Sequence, residues 1–138
     1  MATPSENFQL LTDYYAAHGD GGPESVARMV SFYAEDKPAY IAGNSAVSGT
    51  VNNADEAAQY LRRLHELNGG RVELVGTPTI LLAGDTMVAA LIHQRHHQAG
   101  KPDLVVPRLC VYEIADGKLS RAFMWQLESQ VFDEYYPR

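Results

Sequence analysis

Residues Asp85–His97 read DTMVAALIHQRHH, Leu104–Ile114 read LVVPRLCVYEI and Leu119–Glu128 read LSRAFMWQLE, with Ala115-Asp116-Gly117-Lys118 between the last two. Each run has strand length, and an Asp-Gly pair between two such runs marks a tight hairpin. The last third of the chain is therefore a strand meander. The first half reads instead with helical spacing. Long, strongly twisted strands coil around helices that bury one face, and the open end of the coil leaves a cavity where a small molecule can sit. The expected fold is α+β: three N-terminal helices packed in a strongly curved antiparallel sheet, making a cone with an interior pocket.

The elements ahead of the meander follow from local signals. Thr3 or Ser5 caps a helix over about Glu6–His18, with Phe8, Leu11, Tyr14 or Tyr15, and His18 on its inner face. Gly19-Asp20-Gly21-Gly22 ends it. Pro23 and Glu24 open a second helix with Val26, Met29, Val30 and Tyr33 facing inward, and Glu35-Asp36-Lys37-Pro38 breaks it. Ala39–Ala42 is a short strand and Gly43–Gly49 a loop. Asn53 or Asp55 caps a third helix over Ala54–Leu67, whose stripe is Ala57, Tyr60 or Leu61, Leu64 and Leu67. Asn68-Gly69-Gly70 stops it, and strands are expected at Arg71–Val75 and Thr79–Ala83. The aromatic tail Val131–Arg138 packs back on the body.

Composition narrows the partners. With 138 residues the default is one domain over 1–138. A net charge of −6, with no basic cluster beyond Arg62-Arg63, argues against nucleic acid or an anionic membrane surface. A single cysteine, Cys110, excludes an internal disulfide framework and fits a reducing compartment. The start of the chain lacks the basic and apolar segments of a signal peptide, and no apolar run approaches membrane-spanning length. The expected location is cytoplasmic.

Four segments resemble the nuclear transport factor 2-like superfamily, and within it the SnoaL-like and ketosteroid isomerase-like branch. Tyr14-Tyr15-Ala16-Ala17 closes the first helix before Gly19-Asp20. Phe32-Tyr33-Ala34-Glu35-Asp36 is similar to the family's "LFADDA" stretch. Ser48-Gly49 ahead of a helix is similar to its "G…eai..fl" segment, and Val111–Leu119 to its "dvyrf.dGKi" hairpin. The resemblance covers nearly the whole chain. It implies a conical fold, a deep apolar pocket and frequent homodimers, but no single reaction, since members isomerise, cyclise, hydrate, dehydrate or only bind.

The resemblance also lets known chemistries be tested residue by residue. Ketosteroid isomerases use an aspartate base with a tyrosine and a protonated aspartic acid as oxyanion donors. Tyr14 falls at the tyrosine, but Tyr40 stands at the base and Cys110 near the acid, so that mechanism is disfavoured. The Asp-Arg-Asp set of limonene epoxide hydrolase-like members is broken too: Arg95 is plausible, but His97 and the vicinity of Met124 supply no carboxylate. In the scytalone dehydratase-like reading, Tyr15 and Asp20 have a loosely suitable separation and histidines abound in His93–His97. No histidine begins the strands after the third helix, however.

Alternation places His93, Arg95 and His97 on one face and Ile92, Gln94 and His96 on the other, and the family turn at Gly100 favours the second set pointing inward. A one-residue bulge would reverse this. His96 is then the candidate proton shuttle; the alternative is a solvent-exposed strand end. Tyr14 is the candidate carbonyl donor, with Tyr15 as its rival, or else a packing residue. Tyr40 is a candidate second phenol. Val106, Arg108, Cys110 and Tyr112 share a face. Arg108 inward would seek an anionic substrate group or Glu128, and outward it would serve a dimer or solvent. Pro107 suggests an edge, bulge or interruption. Met124 and Gln126 are expected inward as substrate contacts. Phe123, Trp125 and Leu127 then form an outer apolar stripe that a homodimer would bury; the opposite register makes Trp125 a pocket wall. Cys110 is a small core residue rather than a nucleophile. No metal or other cofactor is expected, because His93 and His97 cannot easily share an ion along one strand.

The expected function is a cofactor-free isomerase, cyclase or dehydratase acting on an apolar carbonyl compound of polyketide or terpenoid type. Tyr14 would polarise the carbonyl, His96 would carry the proton, and Arg108 or Gln126 would orient the substrate. The alternative is a non-catalytic binding module on the same cone.

Overall fold

The computed structural model describes residues 2–19, 22–35, 38–70 and 72–138. Asp20, Gly21, Asp36, Lys37 and Arg71, which entered the helix stops, the strand Arg71–Val75 and the Tyr15–Asp20 pairing, lie outside the described residues.

Helix α1 (Pro4–Ala16) begins earlier than Glu6, because Thr3 makes a capping box. Its hydroxyl accepts from the Glu6 N–H at 3.2 Å, the Glu6 carboxylate accepts from the Thr3 N–H at 3.3 Å, and Pro4 sits where no N–H is needed. Leu11, Tyr14 and Tyr15 are buried. Phe8, expected inward, is 47% exposed. Asn7 takes the inner position and donates to the carbonyls of Gly84 and Asp85 at 2.9 and 3.0 Å, tying α1 to a strand turn. Helix α2 (Pro23–Val30) buries Val26 and Met29. Asn53 caps α3 (Ala54–Leu67), its side chain accepting from the Glu56 N–H at 2.9 Å. On α3, His65 is buried where Leu67 was expected, and Leu67 is exposed.

The strands are β1 (Ala39–Ile41), β2 (Gly49–Val51), β3 (Glu73–Leu74), β4 (Thr79–Ala83), β5 (Met87–His96), β6 (Leu104–Ala115) and β7 (Lys118–Gln126). They form one sheet in the order β2-β1-β7-β6-β5-β3, with β4 beside β3 on the same edge of β5. Strand β2 was not foreseen in the sequence. Nor was the sheet's mixed character: β1 runs parallel to β7, with Tyr40 opposite Phe123. Most of the chain lies between β1 and β7, ample for a parallel crossover. The β6–β7 hairpin turns at Asp116 (φ 52°) and Gly117 (φ 72°), the left-handed pair that a two-residue turn demands.

Pro107 lies in the middle of β6 without interrupting it. The His93 carbonyl turns toward β3, accepting from Val75 N–H at 2.8 Å, so the Pro107 nitrogen faces the β7 side. There Leu127, just past the end of β7, donates its N–H to the Pro107 carbonyl at 3.0 Å, so pairing continues through the carbonyl and only the bond of the missing proline N–H is forgone. Helix α4 (Ser129–Tyr135) was read only as a packed tail. Phe132, Tyr135 and Tyr136 are buried with Val47, Leu64, Val72 and Val106 in a second core, separate from the main one between α1, α2 and the sheet. The result is four helices and a curved, unclosed sheet among the described residues, an α+β cone. Among the described residues no helix is long and apolar enough to cross a membrane.

Candidate functional site

Alternation along the long strands decides what faces the helices. On β5 the inward set is Ile92, Gln94 and His96; on β6 it is Val106, Arg108, Cys110 and Tyr112; on β7 it is Ala122, Met124 and Gln126. Across the sheet, Arg108 pairs with Ile92 and Gln126, and Cys110 with Met124. The inner faces of β5 to β7 therefore bring a guanidinium, two carboxamides, a thiol and a thioether under the helices.

Helix α1 sets phenols against this surface. Tyr14 and Tyr15 are both buried, and Tyr14 hydrogen-bonds the hydroxyl of Tyr33. Tyr33 is held there because the chain after α2 clips onto β7: Ala34 N–H donates to Leu119 O at 2.8 Å and Leu119 N–H to Phe32 O at 2.9 Å. Tyr15 pairs with Tyr112, oxygen to oxygen at 3.3 Å. Burial raises the pKa of all four phenols well above the ordinary value, with Tyr112 adding to Tyr14, Cys110 to Tyr15 and Tyr112, and Tyr14 to Tyr33. They are therefore neutral donors near pH 7.

Beyond α1, His18 reaches the same cavity as Tyr14, and its ring meets that of His65 on α3 at 6.4 Å, edge to face. Burial lowers the His18 pKa, and the charge of Arg108 acts in the same sense, so the imidazole is neutral near pH 7. The cavity holds about 40 Å³, room for a few waters. Among its lining residues only Tyr60 and Leu61 of α3 are half-exposed, so its mouth lies beside that helix. No carboxylate belongs to the described lining. Among the described residues no three His, Cys, Asp or Glu side chains cluster as metal ligands.

Arg108 is 5% exposed. It donates to Tyr60 Oη at 3.3 Å, to Met124 Sδ at 2.9 Å and to Gln94 Oε1 at 3.5 Å, and its Nε–H has no partner. Burial works against its charge, but the neighbouring Tyr60, Cys110 and Tyr112 outweigh burial and its pKa is raised. It is a cation at every accessible pH.

The residues singled out in the sequence are not all brought together. Tyr14, Arg108 and Met124 line the cavity. Tyr40 does not: on β1 it is Ala39 and Ile41 that turn inward, and Tyr40 is 41% exposed, stacked on Phe123 at 5.4 Å. Gln126 is buried but lies outside the cavity lining, one inward step beyond Met124. His96 points inward but away from Tyr14. It is enclosed by the α4 region, its ring 5.3 Å from Phe132 and its Nδ1 2.6 Å from Tyr136 Oη. Burial, then Arg108, lowers its pKa to about 3. His96 is not among the residues that line the cavity. Glu128 forms no ion pair with Arg108 either, since it lies exposed beyond the end of β7. The sequence reading missed the cavity roles of His18, Tyr33, Tyr60 and Tyr112. The available signals were the helical step from Tyr14 to His18 and the alternation Arg108, Cys110, Tyr112.

A curved open sheet wrapped on helices is the cone fold of nuclear transport factor 2-like structures, and this chain has that fold. No family model and no curated protein matches its sequence, but solved structures match over nearly its full length. A nuclear transport factor 2-like protein from Burkholderia xenovorans LB400 aligns at TM-score 0.75 and 18% identity, covering 96% of this chain and 98% of that one. A candidate polyketide cyclase from Xanthomonas campestris pv. campestris aligns at TM-score 0.74 and 19% identity, covering 96% and 98%. A candidate SnoaL-like polyketide cyclase from Jannaschia sp. CCS1 aligns at TM-score 0.72 and 13% identity, covering 93% and 90%. Likeness at such identities establishes the fold, and the SnoaL-like proteins are among those that share it.

Proposed function

We propose that the cone holds a small carbonyl compound and moves a proton on it, as an isomerase or cyclase of SnoaL-like type. The observation that carries this is the Tyr14–Tyr33 phenol pair facing the same enclosed cavity as a neutral imidazole, His18. The pair spends one O–H on itself. With Tyr33 donating, the Tyr14 O–H, which otherwise turns to Tyr112, can turn to a ligand oxygen, and the bond from Tyr33 strengthens it as a donor. His18 takes a proton from the carbon beside the carbonyl, the electron pair moves onto oxygen as an enolate, and Tyr14 stabilises that charge. The imidazolium then returns the proton at the same or another carbon, which isomerises the compound. Attack of the enolate carbon on a second carbonyl closes a ring. Dehydration is the same first step followed by loss of a β-hydroxyl. Candidate cyclases among the structural neighbours support this reading.

The test is deuterium exchange at the α-carbon of 3-methylcyclohexanone and related cyclic ketones in D2O, followed by proton NMR. Acceleration by the wild-type protein, lost in His18→Gln, supports the reading. Binding without exchange leaves the other reading, a non-catalytic module, which the lack of a carboxylate in the described lining favours.

The outer sheet face supports a homodimer. Tyr40, Phe123 and Trp125 stack in series, at 5.4 and 6.3 Å, with Tyr40 and Trp125 both 41% exposed. An exposed aromatic stripe of this kind is buried at low cost by a second copy. The lone buried thiol, Cys110, supports a reducing compartment such as the cytoplasm.

A further inference from the structure

We infer that the compound held in the cone is an organic anion, a carboxylate-bearing ketone or its equivalent, and that Arg108 receives the negative charge. The inference rests on the small-molecule reading of the same cavity and names the class of ligand.

A guanidinium has five N–H donors. Those of Arg108 meet three acceptors: a carboxamide oxygen at 3.5 Å, a phenol at 3.3 Å and a thioether. The first is at the limit of a hydrogen bond and the last is a weak acceptor. Nε–H is orphaned, although the residue is 5% exposed. Buried arginines are ordinarily paired with carboxylates, because an unpaired buried charge opposes folding. Here the neighbours that face the guanidinium are uncharged. Tyr60, Tyr112, Cys110, Gln94 and Met124 surround it, and the phenol of Tyr112 and the imidazoles of His18 and His96 are held neutral by burial. The cavity thus carries one positive charge and no counter-charge among the described residues.

Weak, uncharged acceptors and an orphaned N–H serve a buried guanidinium poorly. The arrangement suits a ligand that brings two acceptor oxygens in one plane, which a guanidinium fork receives in parallel. Tyr60 sits at the mouth with its hydroxyl on Arg108, where an entering anion can replace it. Met29 and Met124, both unbranched, line the void and can yield volume to a ligand larger than the present space. The same charge assists the proposed chemistry, since an enolate forming near a fixed cation is stabilised.

The experiment compares 3-oxocyclohexane-1-carboxylate with uncharged 3-methylcyclohexanone, by calorimetric titration and by α-carbon exchange, on wild type, Arg108→Met and Arg108→Lys. The acid is expected to bind wild type at least about 10-fold more tightly than the neutral ketone. Arg108→Met should weaken binding of the acid about 100-fold, weaken binding of the ketone far less, and slow exchange of both. Arg108→Lys, which keeps the charge but not the fork, should fall between them. Equal or weaker binding of the acid by wild type overturns the inference while leaving the carbonyl site standing, and needs no variant to fold. Binding of neither compound overturns both. Arg108-dependent binding of the acid without exchange supports the anion site and removes the catalytic reading.

Discussion

The Nδ1 atom of His96 lies 2.6 Å from the hydroxyl of Tyr136, a residue 40 positions further along the chain. This bond belongs to a wider network. Asn68 donates from Nδ2 to Leu64 O at 2.6 Å and to Tyr136 Oη at 2.7 Å, and its Oδ1 accepts from His97 N–H at 2.6 Å. Tyr136 Oη also lies 3.1 Å from Asn68 Oδ1, to which its O–H can donate, so this one hydroxyl joins His96 and Asn68. One network locks the end of β5, the stop of α3 and the tail into the second core. It also holds His96, though turned inward, outside the cavity lining.

Stability should fall in mild acid because of this histidine. Its folded pKa, about 3, lies below the ordinary 6.5. Between those values the unfolded chain binds the proton and the folded chain does not, so stability rises with pH across that window and is lost as pH falls through it. His96 alone should remove about 2 kcal/mol between pH 7.5 and pH 5, and His18, lowered in the same direction, adds to it. Urea midpoints at the two pH values check this. A His96→Gln variant should show a shallower dependence, and an unchanged one would remove the assignment.

Tyr136→Phe should cost roughly 1–3 kcal/mol, since the buried His96 Nδ1 and an Asn68 amide hydrogen lose their partner while the ring still fills its place. The urea midpoint should drop with its slope unchanged. Activity in the cavity, if the site is the one proposed, should stay within about 3-fold, because Tyr136 does not line it.

Tyr14→Phe should slow α-carbon exchange about 100-fold through loss of one oxyanion donor. Tyr33→Phe should cost less, about 10-fold, because it only supports Tyr14. His96→Gln should leave the rate nearly unchanged, in contrast to His18→Gln. The reverse pattern would move the base to His96 and contradict the enclosure of that residue by the α4 region.

Trp125→Glu, or Tyr40→Glu, places a charge in the outer aromatic stack. Sedimentation equilibrium should report dimers for wild type and monomers for either variant, with melting changed little when both are monomeric. A wild type that stays monomeric up to about 100 μM would leave the stripe without a second copy, since interfaces of standard size bind more tightly than that.

The fold was readable because its signals are local and periodic. Alternation in β5, β6 and β7 and the Asp116-Gly117 turn specify the meander, and Thr3 and Asn53 cap their helices through contacts three residues away. The same alternation turned Arg108, Met124 and His96 to the inner face. The cavity itself was less readable, because a shared face does not say which part of that face a residue occupies. His96 and Arg108 both point inward, yet the tail folds over His96 and leaves Arg108 in the void. Tyr40 was placed by analogy with a base and turned outward, since in a three-residue strand beside β7 its neighbours Ala39 and Ile41 take the inner side. Tyr33 meets Tyr14 only because Phe32 and Ala34 clip onto Leu119, a contact between chain segments far apart in sequence. Patterns along a strand or helix are set by backbone geometry and survive in the sequence. Which polar groups share a void depends on how separate elements close over one another, and packing alone settles that.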